Sequence, residues 1–393
     1  MKKIYLDYAA TTPLDQQVIE AMLPFMRQSF GNPSSLHSFG QEARRGIEEA
    51  REIIAHSIGA EPNEIIFTSG GTESNNCALK GIAYAQRQKG NHIITSCIEH
   101  HSVIEPCKFL KEQGFKITYL KVDEYGMVNP EDVARAITDE TILISIMHAN
   151  NEIGTIQPLS EIGTIAQERG ICFHSDGVQT FGHLPLNVCD LGLDMLSVSA
   201  HKLCGPKGVG ALYVRKGIRI VPLLHGGDQE QKRRASTHNV PGIIGFGKAA
   251  QLAVEAMEEE LPRLTAYRDR LSEGILTTIP QVRLNGHALS RLANNVNVSI
   301  EYIEGESMIL SLDMEGIACS TGSACTSSSL KPSHVLLAIG LTPELAHSSL
   351  RLTLGRFTQE KDISYVLDVL PKVVARLRSM SPLYTKEVSN GGV

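Results

Sequence analysis

The chain reads as an α/β protein of two domains, on three observations. Seven short segments are apolar almost without break, at residues 64–67, 92–95, 116–120, 142–146, 171–174, 195–198 and 211–214. Helical patterns alternate with them, as expected of a mostly parallel sheet covered by helices on both faces. At 393 residues, 42% of them hydrophobic, the chain is longer than one compact core can organise. The expected division is a large domain over residues 13–258 and a smaller α+β domain built from 1–12 and 259–393.

The elements follow in order. After a lead-in over residues 5–13, Asp15 caps a helix that carries Val18, Ile19, Met22 and Leu23 on one face. The cluster Gly31-Asn32-Pro33-Ser34-Ser35 interrupts it as a turn. Ala43, Ile47, Ala50, Ile54 and Ile58 then mark a long amphipathic helix that stops at Gly59. The strands and helices of the sheet come next. Residues 242–279 form one more helical pattern, with the domain boundary inside it and Pro262 marking a bend. Beyond it lie a strand at 295–299, a helix at 307–312 and a closing helix at 366–377.

Composition removes several function classes. A net charge of −6 argues against nucleic acid or an anionic membrane as the main partner, and Lys232-Arg233-Arg234 reads as a solvated patch. The N-terminus meets Asp7 before any apolar run, so no signal peptide is expected, and no segment is apolar for long enough to span a bilayer. Eight cysteines without a Cys-x-x-Cys pair read as reduced thiols of a cytoplasmic protein. Cys77, Cys97, Cys107, Cys172 and Cys189 fit element patterns and are expected to fill core.

The chemistry concentrates at strand ends. Lys202 closes an apolar strand immediately before the turn Leu203-Cys204-Gly205-Pro206. A partly desolvated lysine there is a Schiff-base former; the alternative is a strand-end lysine reaching to water. Gly71 and Thr72 follow another strand and open a helix, which makes an anion site suited to phosphate. Asp176 ends a third strand, where a carboxylate can pair with a protonated pyridine nitrogen or cap a helix. Ligands of such sheets bind outside the carboxyl ends of the strands, so Gly71, Thr72, Asn151, Asp176 and Lys202 should converge. Together they describe a pyridoxal phosphate site, with Val178 placed to pack under the ring and Gln179 to hydrogen-bond near it, unless Gln179 is an ordinary surface amide.

Through Ser199-Ala200-His201-Lys202, Ile98-Glu99-His100, the run from Ala149 to Gly154 and the run from Ser320 to Ser327, nearly the whole chain resembles the cysteine desulfurases of the NifS/IscS type, in the class V aminotransferase group. The resemblance implies a fold-type-I pyridoxal phosphate transferase that takes sulfur from L-cysteine, leaving L-alanine and a persulfide on Cys325. Lys202 would bind the cofactor. His100 would stack on its ring and relay protons, unless it is an ordinary core or surface histidine. Ser199, Ala200 and His201 would join Gly71 and Thr72 around the phosphate, with Thr237 contributed by the second subunit of a homodimer. The family has a glycine before that threonine, where this chain has Ser236. Asn32, Asn151 and Arg351 would hold the substrate, although Asn32 also reads as a turn residue and Arg351 as a strand arginine.

Cys325 lies among Ser, Thr and Gly from Ser320 to Ser329, a stretch too polar to pack and expected to move, which suits a thiol that carries cargo; the alternative is an exposed, redox-inert thiol. Cys319 belongs to a strand pattern and is not the expected nucleophile. By resemblance the sulfur passes to an iron–sulfur scaffold protein, on whose cluster Cys325 would serve as a shared ligand. The alternatives are another lyase or aminotransferase of the same fold, such as a selenocysteine lyase, or a silent paralogue that only binds partners.

Overall fold

A computed structural model describes residues 3–322, 331–382 and 384 of the chain. After a two-residue strand, β1 (Ile4–Tyr5), seven strands build the central sheet: β2 (Ile65–Thr68), β3 (His92–Ser96), β4 (Lys116–Leu120), β5 (Thr141–Ser145), β6 (Cys172–Asp176), β7 (Met195–Ser199) and β8 (Gly210–Val214). Each stands within two residues of an apolar run read from the sequence. Their order is β2-β8-β7-β6-β5-β3-β4, and only β8 runs against the others.

Strand periodicity divides the apolar side chains between two layers. Ile65, Phe67, Ile94, Ile144, Phe173, Leu196 and Val198 face one core, formed with α1 (Gln16–Arg27), α2 (Ser38–His56) and parts of three later helices. Ile66, Ile93, Leu143, Met195 and Leu212 face the other, against α3 (Gly71–Ala85) and α4 (His101–Glu112). The three later helices are α5 (Pro130–Ala136), α6 (Leu159–Glu168) and α7 (Val240–Thr278). With both faces covered, the strands have no solvent side, which is why they read as unbroken apolar runs.

Helix α7 serves two cores. Its residues through Ala253 pack on the large sheet, whereas Leu261, Leu264, Leu271 and Ile275 belong to a separate apolar cluster. That second cluster is built by a three-stranded antiparallel sheet of β9 (Val282–Leu284), β10 (Asn295–Ile300) and a last strand, with helices α8 (Gly305–Met314) and, at the end, α11 (Glu360–Met380). Ile4 and Leu6 join it from the N-terminus, where β1 pairs with β11 (Ile317–Ala318). Two short helices, α9 (His334–Ala338) and α10 (Pro343–His347), precede the last strand, β12 (Ser349–Thr353).

Two expectations are corrected. Helix α2 ends at His56, and Gly59 takes its left-handed φ of 71° beyond the cap. Cys189 is exposed in a turn organised by Asn187, not packed in the core. The helical pattern read across Pro262 holds: α7 runs through the proline, which is exposed, so the carbonyl its ring leaves without a donor can bond water.

Candidate active site

A cavity of about 380 Å³ opens at the carboxyl ends of the parallel strands, and its lining includes Gly71, Thr72, His100, Asn151, Asp176, Gln179, Ser199, His201, Lys202 and Arg351. Residues up to 280 positions apart in the sequence thus meet because their strands end on one edge. A larger cleft of about 550 Å³ lies at the amino ends of the strands, around Cys172, Asp194 and Arg215, and holds none of the expected site residues.

Lys202 stands in a single 3-10 turn, Ala200–Lys202, directly after β7. Its Nζ donates to the carbonyls of Ala9 and Ala10, the latter at 2.8 Å. Gln179 Nε2 donates to the same Ala9 oxygen at 3.1 Å. The lead-in segment is therefore one wall of the site, a role that nothing in its local pattern announced. Ala200 lies behind the wall: its N–H bonds to Val209 and its carbonyl accepts from Leu203 and Gly205, which holds the turn that presents Lys202.

Asp176 closes β6 with both oxygens engaged. Oδ1 accepts from the N–H of Val178 at 3.0 Å, and Oδ2 accepts from Asn75 Nδ2 at 2.7 Å. Asn75 is fully buried on α3, and its second amide hydrogen goes to Ser102 Oγ at 2.7 Å. Ser102 in turn meets His100 Nδ1 at 2.7 Å. Burial pulls the pKa of His100 down, and Lys202, His101 and His334 add to this while Asp176 opposes it. Asn75 and Ser102 were missed from the sequence. The available signal was a polar residue, Asn75, at helical spacing with buried Leu79 and Ile82.

Bound pyridoxal phosphate is consistent with the donor set around α3. Ser199 Oγ is buried without a hydrogen-bond partner among the described residues, beside Gly70 and Gly71 at the helix N-terminus. A Cβ on Gly71 would come within 2.7 Å of Val178, so only glycine leaves the space open. Gly70 adopts φ of 147°, a region open to glycine, and turns the chain from β2 into α3. Free N–H groups, the helix dipole and a partnerless hydroxyl suit a phosphate. His201, its pKa lowered to about 4 by burial and then by Lys202 and Lys207, adds a neutral ring held by Thr11 at 3.2 Å.

Arg351 comes from β12 of the second core and is buried, 2% exposed, so the reading as an ordinary exposed strand arginine does not hold. Its Nη1 donates to the carbonyls of Asn151 at 2.9 Å and Gly322 at 3.3 Å, and Nη2 pairs with Asp7 Oδ1 at 3.0 Å. Nε is buried with no partner among the described residues, which leaves a donor for a substrate carboxylate.

Asn32 and Thr237 are exposed and are not among the residues lining this cavity; Asn32 Oδ1 instead accepts from the N–H of Ser34. Cys325 lies outside the described residues, but Gly322, three positions before it, lines the cavity. Past it, Ser333 Oγ donates to Glu152 at 2.6 Å and His334 Nε2 meets the Glu99 carbonyl at 2.9 Å. Cys319 is half-buried, with its thiol pushed up to about 12 by burial and by Asp7 and Asp313, and so is a poor nucleophile.

Comparison with known proteins agrees over nearly the full length. The aminotransferase class-V family model matches residues 4–366. A cysteine desulfurase IscS of Dictyoglomus turgidum is 59% identical over 381 residues, 97% of each chain. A solved NifS-like protein superposes with a TM-score of 0.90 at 38% identity, covering 95% of this chain and all of its own. A structure described as SspA in complex with cysteine aligns with a TM-score of 0.80 at 41% identity, over 89% of this chain and 98% of its own. The chain belongs to the class-V aminotransferase family, and within it to the pyridoxal phosphate-dependent cysteine desulfurases.

Proposed function

We propose that this chain takes sulfur from L-cysteine and carries it as a persulfide on Cys325. The observation that supports this most is the meeting of Lys202, Asp176 and His100 with Arg351 in one cavity whose wall, at Gly322, leads in sequence to Cys325. Bound pyridoxal phosphate supplies an electron sink that weakens bonds around the substrate's Cα. The protein supplies placement. Asp176 would face the ring nitrogen, with Val178 and Gln179 beside it. Gly71, Thr72, Ser199 and His201 would hold the phosphate, and Arg351 the substrate carboxylate. Lys202, gripped by carbonyls of the lead-in segment, is the amine positioned to bind the cofactor and move protons.

In the sulfur-transfer step the Cys325 thiolate attacks the substrate's sulfur. A sulfur–sulfur bond forms as the carbon–sulfur bond breaks, the electron pair stays with the carbon side, and protonation there completes L-alanine. The persulfide then passes to an acceptor, for which an iron–sulfur scaffold protein is our reading, with Cys325 the residue that would approach its cluster. Two further parts belong to the proposal. The chain acts as a homodimer, in which Thr237 and Asn32 complete the partner's site. It works in the reducing cytoplasm, a reading supported by seven described cysteines that are all unpaired. No helix among the described residues is long and apolar enough to cross a membrane.

Cys325→Ser tests the central claim. It should bind cofactor and L-cysteine like the wild type but release alanine at least about a hundredfold more slowly. Mass spectrometry of the wild type after brief exposure to cysteine should find one extra sulfur on the peptide containing Cys325. Wild-type turnover by the variant, or the extra sulfur on Cys319, would reject the assignment.

A further inference from the structure

A continuous hydrogen-bond chain joins Asp176, at the end of β6, to His100, at the start of α4. Its direction follows from what each atom can do. The carboxylate oxygen Oδ2 of Asp176 accepts, so the group facing it at 2.7 Å is the Asn75 amide nitrogen. That NH2 gives its other hydrogen to Ser102 Oγ, also at 2.7 Å. The single Ser102 hydroxyl hydrogen is then directed to His100 Nδ1, 2.7 Å away. The same nitrogen accepts from the Ser102 backbone N–H at 3.1 Å, where His100 caps α4. Two donors therefore converge on His100 Nδ1, and a backbone N–H cannot reverse its sense.

We infer that Asn75 and Ser102 are positioning residues that lock His100 as the neutral tautomer protonated on Nε2 and tie its ring to Asp176. A proton on Nδ1 would oppose the backbone N–H and force the hydroxyl to turn, losing the helix cap and breaking the chain. His100 thus presents a proton-bearing nitrogen to the cavity rather than a lone pair. It donates a hydrogen bond there, and proton abstraction falls to Lys202. Burial of every link keeps water from substituting: Asn75 is 0%, Asp176 6% and Ser102 7% exposed. Around the ring, Asp176 favours the charged form, while burial, Lys202, His101 from α4 and His334 from α9 disfavour it.

The inference rests on the cofactor reading only for what Asp176 and His100 touch; the chain of bonds belongs to the protein alone. Nitrogen-15 spectra of the imidazoles, with His100 assigned through His100→Gln, therefore test it in both cofactor-free and loaded protein. The wild type should show an unprotonated Nδ1 and a protonated Nε2 from about pH 6 to about pH 8, the range in which a free histidine changes charge. Ser102→Ala removes one donor, so His100 should take up its proton at a higher pH than in the wild type. The acid limb of kcat/KM should move with it, and kcat near neutrality should fall about tenfold with KM little changed. Ser102→Thr should restore all three, and Asn75→Ala should shift the titration in the same direction as Ser102→Ala.

A protonated Nδ1 in the wild type near neutral pH, or an identical His100 titration in wild type and Ser102→Ala, would overturn the inference. The wild-type spectrum decides even if a variant fails to fold. The cofactor reading is tested separately, by borohydride fixation of the cofactor on Lys202 rather than Lys207. Its failure would leave the tautomer result standing.

Discussion

Glu99, next to His100, is a carboxylic acid that the fold keeps wholly out of water. Oε1 accepts from Ser96 Oγ at 2.6 Å and from the N–H of Met147 at 3.0 Å, while Oε2 is buried with no partner among the described residues. Burial raises its pKa to about 8, against the pull of those two hydrogen bonds and with a further push from Asp176. The folded protein thus keeps a proton that the unfolded chain releases above about pH 4.3. Stability must fall as pH rises from there to about 8, because the folded state binds more protons in that window. Glu99→Gln keeps the acceptor and removes the titration. It should raise the melting temperature at about pH 8, by a gain of a few kcal/mol, and change it little at about pH 4.5. An equal effect at both values would show that the group is not protonated in the folded protein.

At the scale of elements, the segment from Asp228 to His238 stands out for its backbone. Glu230, Gln231 and Lys232 have φ of 47°, 55° and 67°, a left-handed run without a glycine that costs about 1 kcal/mol or more per residue. One buried side chain holds it. Glu230 accepts from Arg51 Nη1 and Nη2 at 2.8 Å each and from the Phe67 N–H at 3.0 Å, and pairs with His238 Nε2 at 2.6 Å, which pins the segment onto α2 and β2. Arg234 adds a tie to Glu73 at 2.8 Å, in the first turn of α3. Although burial alone would raise it, these donors lower the Glu230 pKa to about 2. Its stabilisation is present above about pH 4.5 and is lost as pH falls towards 2. Arg51→Met leaves that buried carboxylate without its guanidinium partner, held only by His238 and the Phe67 N–H, and should cost about 3 kcal/mol in denaturant unfolding. Lys232→Ala, which breaks only an exposed pair with Asp228, should cost under about 0.5 kcal/mol.

For the whole molecule, the question is what completes the site. Phe30, Leu36 and Phe39 are 69%, 92% and 50% exposed, and the two phenylalanine rings lie 5.6 Å apart, close to the exposed Asn32. Large apolar side chains gathered on a surface suit burial by a second subunit. On the homodimer reading, Lys202→Ala homodimers should be inactive and Thr237→Ala homodimers impaired. Mixed dimers should recover one intact site, because the subunit that keeps Lys202 receives the partner's Thr237. Activity of the isolated mixed dimer at about half the wild-type level is the expected result. Activity no higher than half that of the Thr237→Ala homodimer would mean that each chain uses its own Thr237.

What could be read without the structure was local. Buried parallel strands announce themselves as apolar runs, Asp15 as a helix cap, and Gly71, Thr72, Asp176 and Lys202 as polar residues placed at strand ends, since each signal lies within a few neighbouring positions. The exposure of Cys189 was not local in this sense, and there the sequence reading needed correction. The site's connections were decided only by tertiary structure. Arg351 meets Asp7 across 344 positions, Lys202 meets Ala9 across 193, and Asn75 joins Asp176 across 101. No periodicity spans such distances. The order of the strands determines which loops become neighbours, and the polarity of the bonds to His100 follows from atoms that the sequence lists far apart and the folded sheet brings within 3 Å.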